Sequence, residues 1–190
     1  MIEELEEYAK ENNIPIMEKE GIDFLTDYIR KNKIKNILEI GSAIGYSAIK
    51  MALIDESITI TTIERDKERY EQAVKNINKF KLNDRITIIN EDALKAQLFS
   101  KYDLIFLDAA KGQYINFFNK FCDNLSDNGV IITDDLSFHG MVEGNTITNN
   151  RNTKQLIRKI QNYIDFLKEN EEYTTEFYKI GDGISITKRK

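Results

Sequence analysis

Apolar residues follow two rhythms along the chain, and the rhythms alternate. Ile22, Leu25 and Ile29 recur at spacings of three and four, an amphipathic face that predicts a helix over about 18–31. An acidic helix over 3–12, with Leu5 and Tyr8 on one side, precedes it, and Pro15 separates the two. Short apolar runs at 35–40, 57–63, 85–89, 102–107 and 129–133 read as buried strands. Helical patterns fill the gaps at 46–53, at 66–80 (Tyr70, Val74 and Ile77 on one face) and at 113–124, where Phe117, Phe118 and Phe121 take core spacing. A polar stretch, 137–152, is long for a loop and carries Phe138, His139, Gly140 and Gly144. The last helix is expected at 153–170, and two closing strands at 173–180 and 183–187 meet in the hairpin signal G-D-G. Strands alternating with helices predict an α/β domain over 1–190: a seven-stranded, mostly parallel sheet, helices on both faces, one antiparallel strand.

Composition narrows this modestly. A chain of 190 residues with one cysteine, Cys122, has no disulfide framework and no cysteine-based zinc site. No leader-like segment or long apolar run is present, so a cytoplasmic protein with no membrane partner is expected. The net charge of −5 argues against a protein coated in positive charge, but residues 1–20 alone hold seven Glu and two Lys. The remainder sums to zero, which leaves room for local basic patches. Lys188, Arg189 and Lys190 read as a tail.

The most informative stretch is N-I-L-E-I-G-S-A-I-G-Y-S at 36–47, a buried strand that turns through Gly41 and Gly45 into a helix. That corner opens nucleotide-binding α/β units. The spacing is G-x-x-x-G and Glu39 lies two residues before the first glycine. A carboxylate there repels a dinucleotide pyrophosphate and tolerates a cationic ligand, so S-adenosylmethionine, with its sulfonium, suits the turn better than NAD. Glu64, about 20 residues on, ends the second strand where an acid accepts ribose hydroxyls. Asp92 follows the third strand within reach of an adenine amino group.

Ligand sites in open α/β sheets lie off the carboxyl ends of the strands. Asp108, Asp134 and Asp135 end neighbouring strands there. Three converging carboxylates repel unless they are solvated or share a hard, oxygen-seeking cation such as Mg²⁺ or Mn²⁺. Lys111 is either a partner of Asp108 or a general base, since a nearby cation disfavours an ammonium. Arg151, Lys154, Arg158 and Lys159 cluster after the long loop and are candidate phosphate contacts.

With these pieces together, L-E-I-G-S-A-I-G-Y-S, T-I-E-R, E-D-A, L-D-A-A-K-G-Q-Y and I-I-T-D-D resemble the class I, Rossmann-like O-methyltransferases of the divalent-cation-dependent group that includes catechol and caffeoyl-CoA methyltransferases. Within that group, Y-A-K-E-N-N-I-P-I-M-E-K-E-G, D-A-A-K-G-Q-Y-x-N-F-F and G-D-G-I-S-I-T-K-R-K are similar to bacterial tRNA methyltransferases acting on 5-hydroxyuridine at the wobble position. The resemblance implies S-adenosylmethionine bound by Met17, Glu39, Gly41, Ser47, Glu64, Asp92, Ala93 and Asp108, with the first two helices over the cofactor. It also implies a cation held by Asp108, Asp134 and Asp135, Lys111 as base, and a homodimer. The tRNA anticodon loop would be substrate, touched by Arg151, Lys154 and Arg158, with 5-methoxyuridine as product. A catechol-type small-molecule substrate would use the same site residues. Two features depart from the family: Asp134-Asp135 stands where Asp-Asn is usual, and the stretch before P-I-M-E is shorter.

Overall fold

The computed structural model describes residues 1–137, 142 and 149–190. Seven strands, β1 (Asn36–Ile40), β2 (Thr59–Glu64), β3 (Ile86–Asn90), β4 (Tyr102–Leu107), β5 (Leu125–Thr133), β6 (Tyr173–Tyr178) and β7 (Ile184–Arg189), form one sheet ordered β3-β2-β1-β4-β5-β7-β6. The pairings from β3 through β5 are parallel. β7 runs antiparallel to both β5 and β6, so it alone is reversed.

Alternating side chains divide the core into two layers. Ile37, Ile60, Leu104, Phe106 and Ile132 face α1 (Ile2–Glu11), α2 (Lys19–Asn32) and α3 (Tyr46–Ala52). Leu38, Ile40, Ile105, Leu107 and Ile131 face α5 (Tyr114–Phe121) and α6 (Arg151–Lys168). α4 (Lys67–Lys79) adds Ile77 to the first layer. Burying both faces is what permits unbroken apolar strands. Ile22, Leu25 and Ile29 are buried as the spacing predicts, each contributing about 1.5–3 kcal/mol.

Boundaries differ where capping and pairing decide them. The last helix begins at Arg151 rather than 153, because the Asn150 side chain caps it by accepting from the N–H groups of Asn152 (2.9 Å) and Thr153 (3.1 Å). β5 begins at Leu125, which pairs with Tyr102. Lys188 and Arg189 are no tail: Lys188 pairs with Val130 and Thr174, and Arg189 with Tyr173, so β7 runs the length of β6. Cys122 lies half-buried in the 3-10 turn after α5. Phe138, His139, Gly140 and Gly144 lie outside the described residues.

Candidate active site

Strand order reverses between β1 and β4, and a cleft of about 390 Å³ opens at the carboxyl ends there. A staggered set of hydrogen bonds past the strand ends fixes its floor. Gly41 N–H donates to Ile63 O (2.9 Å), Asp108 N–H to Ile40 O (3.0 Å) and Asp134 N–H to Leu107 O (3.2 Å). The ladder therefore lines up the glycine turn and two of the three predicted carboxylates in one row.

Gly41 is required by contact and by conformation. Its φ is +96°, and a Cβ there would lie 2.2 Å from Asp108 O. Gly41→Ala is expected to cost about 3 kcal/mol or more through strain and collision. Thermal denaturation checks this; an unchanged melting temperature would contradict the packing. Next to it, Ala43 adopts φ +44° and its N–H donates to Glu64 Oε2 (2.9 Å), while Asp66 N–H donates to Oε1 (2.8 Å). Glu64 thus braces the turn and the start of α4 as well as bordering the cleft.

Met17, Gly41, Ser47, Glu64, Asp92, Ala93, Asp108, Lys111, Asp134 and Asp135 all line the cleft. Glu39 does not. It is fully buried behind the turn, where Ser47 Oγ and Thr62 Oγ1 each donate to it at 2.5 Å. Burial raises its carboxyl to about 7, against the lowering pull of both hydroxyls. Glu39 therefore holds Ser47 in place instead of facing the ligand. Arg151, Lys154 and Arg158 also do not line the cleft. Each lies nine residues before a buried residue, Ile160, Tyr163 and Leu167 respectively, about two and a half turns and so on the opposite side of α6.

The chain order does not single out several residues that the fold brings in. Gly181 and Asp182, from the turn before β7, border the cleft with Pro15 and Ile16. Arg65 and Arg69 stand at the α4 end. Ser42 borders the cleft with a buried hydroxyl that has no hydrogen-bond partner among the described residues. A buried polar atom left unmade costs about 1–3 kcal/mol, so this orphan fits a site shaped for a polar ligand such as the cofactor's amino-acid end.

At the reacting end, burial and mutual repulsion act on the carboxylates. Asp108 is raised to about 7, first by burial, then by the charges of Asp135 and Glu39, with Lys111 opposing. Asp134 is raised to about 8, first by burial, then by Asp108 and Asp135. Asp135, at φ +64°, turns its carboxylate into an ion pair with Lys111. No group of three acid, histidine or cysteine side chains stands in metal-holding arrangement among the described residues; the predicted triad is assembled in sequence but Asp135 is engaged by Lys111. The donor set still fits a hard divalent cation. All three are oxygen donors, and a cation would relieve the repulsion that lifts Asp108 and Asp134. The scaffold behind them is firm: Tyr114 OH donates to Asp134 O (2.9 Å), and Tyr163 OH shares a hydrogen bond with Thr133 Oγ1 (2.8 Å).

The sheet order, the reversed β7, the glycine turn after β1 and the acid ending β2 define a Rossmann-like class I methyltransferase fold. The O-methyltransferase family matches residues 1–190, and the chain belongs to that family. A Staphylococcus aureus protein provisionally named a caffeoyl-CoA O-methyltransferase is 38% identical, with a TM-score of 0.95 over 100% of this chain and 92% of that one. An S-adenosylhomocysteine-bound methyltransferase from Podospora anserina is 25% identical, with a TM-score of 0.81 over 89% of this chain and 77% of that one. Caffeoyl-CoA O-methyltransferase from Medicago sativa is 28% identical over 182 residues, 87% of this chain and 71% of that protein. Among the described residues, no helix is long and apolar enough to cross a membrane.

Proposed function

We infer that this S-adenosylmethionine-dependent O-methyltransferase of the caffeoyl-CoA type methylates the 5-hydroxyl of uridine at the tRNA wobble position, giving 5-methoxyuridine. One observation carries the reading. The three stretches that resemble the wobble methyltransferases are far apart in sequence, yet Pro15–Glu18, Asp108–Lys111 with Gln113, and Gly181–Asp182 border the same cleft. Likeness in the Lys111 segment and in the Gly181–Asp182 turn supports a shared substrate, whereas Met17, the glycine turn and Glu64 speak only for a shared cofactor.

The cofactor fits against Gly41, Ser42, Ser47, Glu64 and Asp92, with Met17 and Ala93 as apolar walls. Asp108, Asp134 and Asp135 would hold a divalent cation, which when bound supplies Lewis-acid polarisation of the substrate's hydroxyl and neighbouring carbonyl. Lys111 takes the hydroxyl proton onto its amine. The freed oxygen lone pair forms the bond to the methyl carbon, and the carbon–sulfur electrons return to sulfur, leaving neutral S-adenosylhomocysteine. The rigid floor of strand ends contributes by holding oxygen, methyl and base in line. The Lys111 ammonium must first give a proton to solvent, which dissolves its pair with Asp135, since an ammonium has no lone pair to accept with.

A catechol-type small molecule is the second reading, favoured by the caffeoyl-CoA names of the relatives. Labelled methyl transfer separates them. Label in tRNA carrying 5-hydroxyuridine, and none in the same tRNA with plain uridine or in a simple catechol, is the expected result. Label confined to the catechol would replace the RNA reading with the small-molecule one.

A further inference from the structure

The basic residues of α6 are not equivalent. Arg151, Lys154 and Arg158 leave the helix opposite its buried stripe, so they face away from the sheet. Lys159 follows Arg158 and adjoins the buried Ile160, which puts it on the flank of α6 toward the site. A Cβ placed on Gly112 would lie 3.1 Å from Lys159 Cδ and 3.3 Å from its Nζ. Gly112 sits between Lys111 and Gln113, both of which line the cleft. The stem of Lys159 is therefore laid across the short 3-10 turn Lys111–Gln113, and its ammonium ends beside the residue next to the catalytic lysine. Gly112 has ordinary backbone there; its missing side chain is what makes room for that stem. Lys159 remains exposed, and it forms no ion pair among the described residues.

We propose that Lys159 is a substrate-positioning residue that binds a backbone phosphate flanking the methylated nucleotide. The assignment rests on the RNA reading of the site. Three things fit together. The acidic row of Asp108, Asp134 and Asp135 would repel a polyanion at the reacting end, and a cation laid on the adjoining 3-10 turn, outside the cleft lining itself, offsets that. The ammonium lies against Gly112, one residue along the chain from Lys111, so a phosphate flanking the nucleotide at Lys111 is the group it would meet. Lysine contacts phosphate as a point charge and needs no fixed fork. Arg151, Lys154 and Arg158, on the outer face, would then add long-range attraction and not register.

The test is fluorescence-anisotropy binding of an anticodon stem-loop carrying 5-hydroxyuridine, measured across a salt series with S-adenosylhomocysteine present. Lys159→Met keeps the stem over Gly112 and removes the charge, so it separates packing from phosphate binding; Lys159→Arg restores the charge. For Lys159→Met we expect about fivefold weaker binding at moderate salt and a log–log salt slope reduced by about 0.7, one lost contact to single-stranded phosphate. Lys159→Arg should recover both, and an Arg151→Ala/Arg158→Ala double variant should lose less affinity. Wild-type affinity and slope in Lys159→Met would overturn the assignment and leave the RNA reading standing. No binding of the stem-loop by the unaltered protein would overturn the RNA reading, and the assignment with it.

Discussion

Lys111→Met is expected to lower single-turnover methyl transfer by about 10²- to 10⁴-fold, the range a positioned general base contributes. Methionine retains an unbranched stem of similar reach and removes the amine, so local packing of the 3-10 turn should survive. Lys111 opens that turn directly after β4, within the same short segment as Asp108, and its pairing with Asp135 shows that it reaches the acidic row. S-adenosylhomocysteine affinity should change little, because the residues proposed to hold the cofactor are chiefly the turn after β1 and Glu64. The kinetic signature is therefore a loss in the chemical step with the cofactor titration preserved. A rate within threefold of the unaltered protein would remove Lys111 from the chemistry and leave the proton to another acceptor.

The second large effect is on stability. Glu39, Asp108 and Asp134 have carboxyls raised to about 7, about 7 and about 8. A carboxyl raised in the folded state binds its proton there at pH values where the unfolded chain has released it. Stability therefore falls as pH rises from the ordinary carboxylate range through about 8. Each unit of such a shift corresponds to about 1.4 kcal/mol, so three buried groups outweigh any exposed pair. Glu4, Asp23 and Asp55 are shifted the other way, by Lys79, by Lys19 and by Ser57. They are exposed, and their influence is confined to more acidic solution. Protein freed of divalent ions should melt at lower temperature at pH 8 than at pH 5. Mg²⁺ should raise the melting temperature strongly at pH 8 and weakly at pH 5, where protons already neutralise the row. A flat profile, or an equal Mg²⁺ effect at both pH values, would contradict the cation site.

Much of this architecture is legible in the chain because parallel strands buried on both faces read as unbroken apolar runs. β4 is an example: 102–107 was bounded by polar Lys101 and Asp108, and it forms as predicted. The glycine turn is equally legible, since φ +96° at Gly41 and +82° at Gly45 leave little choice of residue. Other features need the third dimension. Glu39 looks like a ligand by sequence distance from Gly41, yet its side chain passes behind the turn to Ser47 and Thr62. Gly181 and Asp182 reach the cleft only because β7 inserts between β5 and β6. Ser42 gains meaning only from a hydroxyl left without a partner among the described residues. The facing of Arg151, Lys154 and Arg158 was within reach of helical periodicity, through their nine-residue offset from Ile160, Tyr163 and Leu167.

Asp135 joins these threads. Its φ of +64° is a conformation that asparagine and aspartate tolerate better than most residues. Either residue thus fits the backbone, but only the carboxylate can form the ion pair with Lys111. The departure from the usual asparagine accordingly changes the charge of the site without changing its frame.

The most direct measurement is mass spectrometry of ribonuclease fragments from 5-hydroxyuridine-containing tRNA after incubation with the protein and S-adenosylmethionine, with and without EDTA. One methyl on the wobble nucleotide, lost when EDTA is present, is the predicted result. An unmethylated wobble nucleotide in the presence of Mg²⁺, or full methylation in EDTA, would contradict it.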